Sequence, residues 1–305
     1  MKDNIRILHN SHKRMIGRPW GNAMIKLLVF NGICKMIPEY KFQFSNLDFP
    51  MWSIKYPDLL EGSKSDAAQF FDATCYDKCK FQSLDVEFIK KQFSDGNICA
   101  LFPAYYQRFE YFPSVEHSKL IFKKSPVFNS QSLGFLEDSV LCPVRGAEIL
   151  KPLHPHYVLL PIEYYKKIQE ETGKNLVFCG QIGDDWYSRS LIKAFPGSIF
   201  ITSQGPYIDF NIIRNAKNII LSVSTFVWLS AWLSDADRIW MPLYGFYNPF
   251  QDETNLIPPL DDRYIFDLFP VSNSCQKNII KKEHKRVMRE LRRVKYSQIS
   301  YINPY

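Results

Sequence analysis

From residue 137 to residue 242 the chain alternates short apolar runs with segments of helical periodicity, and this alternation constrains its fold more than any other feature. The runs at 139–144, 175–179, 198–203, 218–223 and 238–242 read as buried strands. The segments 162–172, 186–195, 209–216 and 225–233 read as the helices between them. Parallel neighbours need crossover connections, so strands separated by helices predict an α/β domain on a parallel, doubly wound sheet. Such sheets place ligands beyond the carboxyl ends of their strands, so functional residues are sought just after each run.

The residues found there suit an anionic ligand. The first strand is followed by Arg145, Gly146, Ala147 and Glu148, the second by Gly180, Gln181, Ile182 and Gly183, and the fourth ends in Ser222, Val223, Ser224, Thr225 and Phe226. An arginine offers a planar, bidentate cation, and hydroxyl residues opening a helix add donors at its N-terminus, which together match a diphosphate. Arg145 in a surface ion pair and Ser224 as a plain helix cap are the competing readings. Asp209, after Gly205, Pro206 and Tyr207, either opens a helix or meets polar groups of a base or ribose. As proton acceptors the candidates are His154 and His156, flanking Pro155, and Glu148 beside the arginine. Trp228 and Trp232, four apart, are read as core. Nearer the start, Gly21 and Asn22 precede a predicted helix at 23–36, with Asn22 its N-cap and the free N–H groups open to a polar ligand.

Several classes lose support. G-x-G-x-x-G, the P-loop pattern and G-x-S-x-G are all missing from the sequence, which disfavours the usual dinucleotide, P-loop and nucleophile-elbow chemistries. The acidic pairs Asp184/Asp185 and Asp261/Asp262 are more typical of turns than of metal sites, so no metal is expected. Seven cysteines without zinc-finger spacing, and a start without an apolar leader, point to free thiols in a reducing cytoplasm. The most apolar stretch, 219–233, carries four hydroxyl residues and falls short of the roughly 18–20 residues needed to span a bilayer.

Four segments resemble a known family. Gly17, Arg18, Pro19, Trp20, Gly21, Asn22, Ala23 and Met24 are similar to the glycine-rich opening of bacterial alpha-1,2-fucosyltransferases and their relatives. Tyr105 to Phe112, the pair Tyr164/Tyr165, and the Ser-Thr-Phe-Val-Trp-Leu-Ser-Ala-Trp-Leu segment from Ser224 to Leu233 match further motifs in the same order, over roughly residues 15–250. Where the family reads H-x-R-R-G-D, this chain has Cys142, Pro143, Val144, Arg145, Gly146 and Ala147, keeping the second arginine and the glycine. The resemblance implies two Rossmann-like domains of the GT-B glycosyltransferase type, with the acceptor on the N-terminal half and the donor on the C-terminal half. It further implies an inverting, metal-independent transferase with no cofactor beyond a nucleotide-sugar co-substrate, GDP-fucose in the specific case, acting on a glycan or lipid-linked saccharide. Arg145 would grip the donor diphosphate. A same-fold transferase using another nucleotide sugar, and a non-catalytic nucleotide- or carbohydrate-binding protein, are the alternatives.

The expected division is 1–136 on the acceptor side, 137–275 for the donor, and 276–305 as a basic C-terminal helix and tail. Between residues 277 and 295 nine Lys/Arg stand against two Glu, a local excess equal to the +7 net charge of the whole chain. Ile280, Val287, Leu291 and Val294 recur there at helical spacing, so the segment reads either as an amphipathic helix lying on an anionic membrane surface or as a solvated helix packed on the C-terminal domain. Nucleic acid is not expected as a partner.

Overall fold

The computed structural model describes residues 5–10, 20–57, 59, 70–72, 84–94, 98–101, 107–124, 134–146, 149–150, 156–252, 254–272 and 277–300. The chain divides into two compact units, Met1–Lys123 and Lys124–Tyr305. Each is an α/β fold on a sheet of parallel strands, as the expected architecture requires.

The first unit runs β1 (Ile5–Asn10), α1 (Trp20–Met36), β2 (Lys41–Ser45), the antiparallel pair β3 (Leu47–Phe49) and β4 (Ile54–Tyr56), β5 (Phe70–Asp72), α2 (Val86–Ser94), β6 (Ile98–Leu101) and α3 (Val115–Ile121). Its main sheet has the order β2-β1-β6-β5, parallel throughout. Helix α1 is buried nearly all round, with Met24, Leu27, Leu28 and Ile33 joined by Ile25, Val29 and Phe30. It starts at Trp20, three residues before the expected 23–36 boundary, so Asn22 lies inside the first turn and is not the N-cap. The Trp20 ring packs near Phe49 and Trp52, at centroid distances of 6.2 and 6.4 Å, and such tertiary packing carries the helix backwards past its local signal. Gly32 lets the 109–111 turn lie against α1, since a Cβ there would fall 1.8 Å from the Tyr111 carbonyl oxygen.

The second unit runs β7 (Ser139–Val144), α4 (Ile162–Thr172), β8 (Asn175–Gly180), α5 (Trp186–Ala194), β9 (Ile199–Thr202), α6 (Pro206–Asn215), β10 (Asn218–Ile220), α7 (Thr225–Trp232), β11 (Arg238–Leu243), β12 (Tyr264–Leu268), α8 (Lys277–Glu290) and β13 (Arg292–Val294). The sheet order is β13-β12-β11-β10-β7-β8-β9, parallel except for β13. Every expected strand and helix between 139 and 243 is present. Trp228 and Trp232 are core, stacked at 5.4 Å, and Trp228 donates its indole N–H to the Leu256 carbonyl at 2.7 Å.

From β7 the chain winds outward to β8 and β9, then returns to lay β10, β11 and β12 on the other side, so the order reverses between β7 and β10. Proline sits badly inside a sheet because it has no amide hydrogen to donate. Val144 accepts from Gln181 N, placing the alternate positions of β7, Leu141 and Pro143, toward β10. The β7–β10 pairing is Leu141 with Ile219, and β10 ends at Ile220 rather than at the expected 223. Pro143 therefore ends the ladder and lets the two strands part at their carboxyl ends.

The tail departs from expectation. Helix α8 stops at Glu290, and Arg292–Val294 forms an antiparallel strand on β12. Val287 is fully buried, so at this position the apolar stripe packs into the protein and is not presented to lipid. The driving contact is nonlocal. Asp267 is completely buried, accepts a hydrogen bond from the Tyr164 hydroxyl at 2.9 Å, and takes 3.0 and 3.2 Å hydrogen bonds from Arg293, which also reaches Glu171 at 2.9 Å. Removing one partner of a buried pair typically costs about 3–5 kcal/mol. Arg293 is partly exposed, so Arg293→Ala is expected to destabilise the protein by about 3 kcal/mol, the low end of that range, read as a lower urea midpoint with little change in slope.

Candidate active site

The parted ends of β7 and β10 form the crevice where an open α/β sheet holds its ligand. Arg145 stands at its mouth, one residue beyond β7. Its Nη1 donates to the Val223 carbonyl at 3.3 Å, across the gap opened by Pro143, and its guanidinium carbon lies 4.9 Å from the centre of the Tyr157 ring. The cation is thus held by a carbonyl at one nitrogen and by the face of an aromatic ring, which restrains where it points. Gln181, exposed beyond β8, accepts a 3.0 Å hydrogen bond from the Gly146 amide, tying the first two strand ends together.

Behind Arg145 lies a small cavity walled by Ile149, Val158, Leu160, Tyr165 and Ser222. The Ser222 residue is 6% exposed, and its hydroxyl has no hydrogen-bond partner among the described residues. Buried polar atoms are nearly always paired, and Ser222 is one of several left open among the described residues; it is the one that lines this cavity with Arg145. The Tyr247 hydroxyl sits alongside. It receives the Ser224 amide at 3.1 Å and lies 2.7 and 3.4 Å from the carbonyls of Ser224 and Ser222. Burial pushes the Tyr247 pKa well up, keeping it a neutral donor. Ser224 occupies the N-cap position of α7 without a side-chain capping bond, and the Tyr247 hydroxyl meets its backbone.

A second polar pair stands next to this one along the chain. His156 immediately precedes Tyr157, and its Nδ1 lies 2.5 Å from the Asp252 carboxylate, both half-buried. A carboxylate only accepts, so the ring donates from Nδ1, which directs the basic nitrogen, Nε2, away from the acid. The other Asp252 oxygen takes the Thr254 amide at 2.9 Å. Gly245 makes room for the His156 backbone: at φ +59° it adopts a left-handed conformation, and a Cβ would stand 2.2 Å from the His156 carbonyl, which accepts from the Phe246 amide.

The remaining candidates scatter. Glu148 and His154 lie outside the described residues. Thr225 is buried as the first residue of α7, and Phe226 packs its ring on Phe210 at 5.5 Å. Asp209 does not open α6, which begins at Pro206; it lies in the first turn, accepting from the Ser203 hydroxyl at 2.5 Å and the Gln204 amide at 3.0 Å. Gly21 and Asn22 belong to the first unit, where Asn22 accepts from Gln107 at 3.0 Å. The acidic pairs behave as turn residues: Asp185 caps α5 through the amides of Tyr187 and Ser188, Asp184 pairs with Arg189, and Asp261 pairs with Arg263. Among the described residues no three His, Cys, Asp or Glu gather as a metal site, and no helix is long and apolar enough to cross a membrane. Tyr157, Tyr247 and Asp252 escape sequence reading, since each acts through a partner distant in the chain.

No family model matches the chain, and no curated protein does. Among solved structures it is similar to the E. coli heptosyltransferase WaaC with ADP, at 11% identity over 92% of this chain and 99% of that one, with a TM-score of 0.42. A glycosyl transferase family 9 structure from Veillonella parvula gives 11% identity over 95% and 96%, with a TM-score of 0.48. The E. coli ADP-heptose lps heptosyltransferase II gives 12% over 93% and 99%, at 0.40. Similarities this distant assign neither an activity nor a ligand.

The Tyr247 hydroxyl is the group that secures the turn before α7. Tyr247→Phe leaves the buried Ser224 amide without its acceptor, and such a loss costs about 1–3 kcal/mol. The expected result is a matching loss of stability, with faster hydrogen exchange confined to the Ser224 amide and the first turn of α7.

Proposed function

We propose that the chain is a metal-independent, inverting glycosyltransferase whose donor is a nucleoside-diphosphate sugar. The observation that carries the reading is Arg145, held at the switch-point crevice by the Val223 carbonyl and the Tyr157 ring, beside a buried hydroxyl that has no partner among the described residues. A fixed cation beside an unfilled hydrogen-bonding position is suited to the charge that develops on a departing diphosphate. In its specific form the proposal takes GDP-fucose as donor and a glycan or lipid-linked saccharide as acceptor, on the strength of the Ser224 to Leu233 motif and the retained Arg145 and Gly146.

The chemistry follows from the two polar pairs. The acceptor hydroxyl loses its proton to Nε2 of His156, and its oxygen bonds to the anomeric carbon from the face opposite the diphosphate. The bond from that carbon to the phosphate oxygen breaks, and the electron pair leaves with the nucleoside diphosphate, whose charge Arg145 offsets. Asp252 keeps the His156 ring in the tautomer that makes Nε2 the acceptor.

A panel of nucleotide sugars scored for thermal shift and donor hydrolysis in the presence of EDTA tests the reading. One donor that shifts the melting temperature and is hydrolysed supports a transferase; a shift without turnover with any donor or acceptor overturns the catalytic assignment. Arg145→Ala and Arg145→Lys are expected to weaken nucleoside-diphosphate binding about 10- to 150-fold, the equivalent of a charge-assisted hydrogen bond of about 1.5–3 kcal/mol, with the fold retained. Unchanged binding in calorimetry removes Arg145 from the donor site. Asp252→Asn lets the amide donate to Nδ1 and moves the ring proton to Nε2. The expected outcome is a kcat lower by about 10²–10⁴ with donor KM nearly unchanged.

A further inference from the structure

We infer that the outer face of α8 is a docking surface for anionic lipid, working chiefly through charge. At about 100° per residue, Lys282, Lys285 and Arg289 fall within a sector of about 60°, and all three are exposed. On the opposite side Val287 is fully buried and the half-buried His284 donates from Nε2 to the Leu159 carbonyl at 3.1 Å. The helix therefore turns its packing side inward and its cations outward. Arg292 and Lys295, both exposed, extend the same basic strip beyond the helix.

The acids that would ordinarily offset such a face are already used. Arg286 holds Glu283 at 2.6 Å and Glu290 at 3.3 Å. Among the described residues no carboxylate pairs with Lys282, Lys285 or Arg289. Because the whole chain's net charge of +7 is matched by the excess within 277–295, the rest of the protein is formally neutral. The helix carries no aromatic residue, so it offers no platform on which bases could stack, and this favours a lipid headgroup surface over single-stranded nucleic acid. Val271 and Phe250, both exposed, lie beside the strip: Arg286 donates to the Val271 carbonyl at 2.9 Å, and Gln251, next to Phe250, exchanges hydrogen bonds with Ser272. With Val287 buried, membrane contact depends on Lys and Arg, and salt reverses it.

The test is flotation of the full chain with phosphatidylcholine vesicles, with and without phosphatidylglycerol. The chain is expected to float with the anionic vesicles and not the neutral ones, and to be released at about 1 M salt, where the screening length is about 3 Å. The variant Lys282→Glu/Lys285→Glu/Arg289→Glu, with its melting temperature checked against the parent, is expected to lower partitioning about 100-fold. The milder Lys282→Gln/Lys285→Gln/Arg289→Gln serves if the reversed variant fails to fold, and it too should weaken binding. The inference is overturned by a parent that ignores anionic vesicles, by folded variants that float as well as the parent, by binding that persists at high salt, or by a chain that captures single-stranded DNA but no vesicle. None of these outcomes depends on the donor-site reading, which is measured separately by nucleoside-diphosphate binding.

Discussion

A single missing amide hydrogen organises the second unit. Pro143 lies in the middle of a six-stranded parallel array at a position whose N–H would face β10, and the β7–β10 ladder stops before it. The sheet is otherwise continuous: β7 is paired with β8 along its full length, from Ser139 with Asn175 to Val144 with Gly180. Only on the β10 side do the strands separate, and that is where the topology reverses. The Arg145–Val223 hydrogen bond then spans the gap, replacing a main-chain contact with a side-chain one. A main-chain ladder would bury its polar groups permanently, whereas a guanidinium presents several donors from one planar group.

The site has two layers that differ in how they are held. Arg145, Gly146 and Gln181 are placed by strand ends, which a rigid sheet positions closely. His156, Tyr157, Tyr247 and Asp252 are placed by connections, and their geometry depends on backbone contacts such as that of Gly245 against the His156 carbonyl. Two aromatic contacts join these connections, Tyr157 with Phe246 at 6.0 Å and Phe246 with Tyr247 at 4.6 Å. Arg145 and the His156–Asp252 pair therefore share one aromatic cluster, through adjacent residues of one segment.

Much of this architecture was legible in the amino-acid sequence, and the exceptions have particular causes. The strands and helices between 139 and 243 announce themselves because most of the strands are buried on both faces and most of the helices have one apolar side, so local pattern and tertiary role agree. Arg145 was legible for the same reason, as a charge placed just past a buried run. Disagreement arises where a distant partner decides: Trp20 joins α1 because Phe49 and Trp52 pack against it, and Arg292–Val294 leaves a helical pattern because the buried Asp267 carboxylate draws in Arg293. The His156–Asp252 pair spans 96 positions, and no local spacing marks an aspartate in an irregular connection as the partner of a histidine so far away.

The antiparallel strand β13 also closes one end of the seven-stranded sheet. An open edge presents a row of unpaired amides and carbonyls that invites another chain to add a strand. Here β12, with Phe266 and Tyr264 along it, is covered by a strand of three residues, two of them arginines, with Lys295 just beyond. Short, strongly basic edges repel further strands of their own kind. This short strand thus acts as a guard against self-association, and a chain cut after Glu290 would uncover an apolar edge able to nucleate aggregates even while the interior of the sheet remained intact.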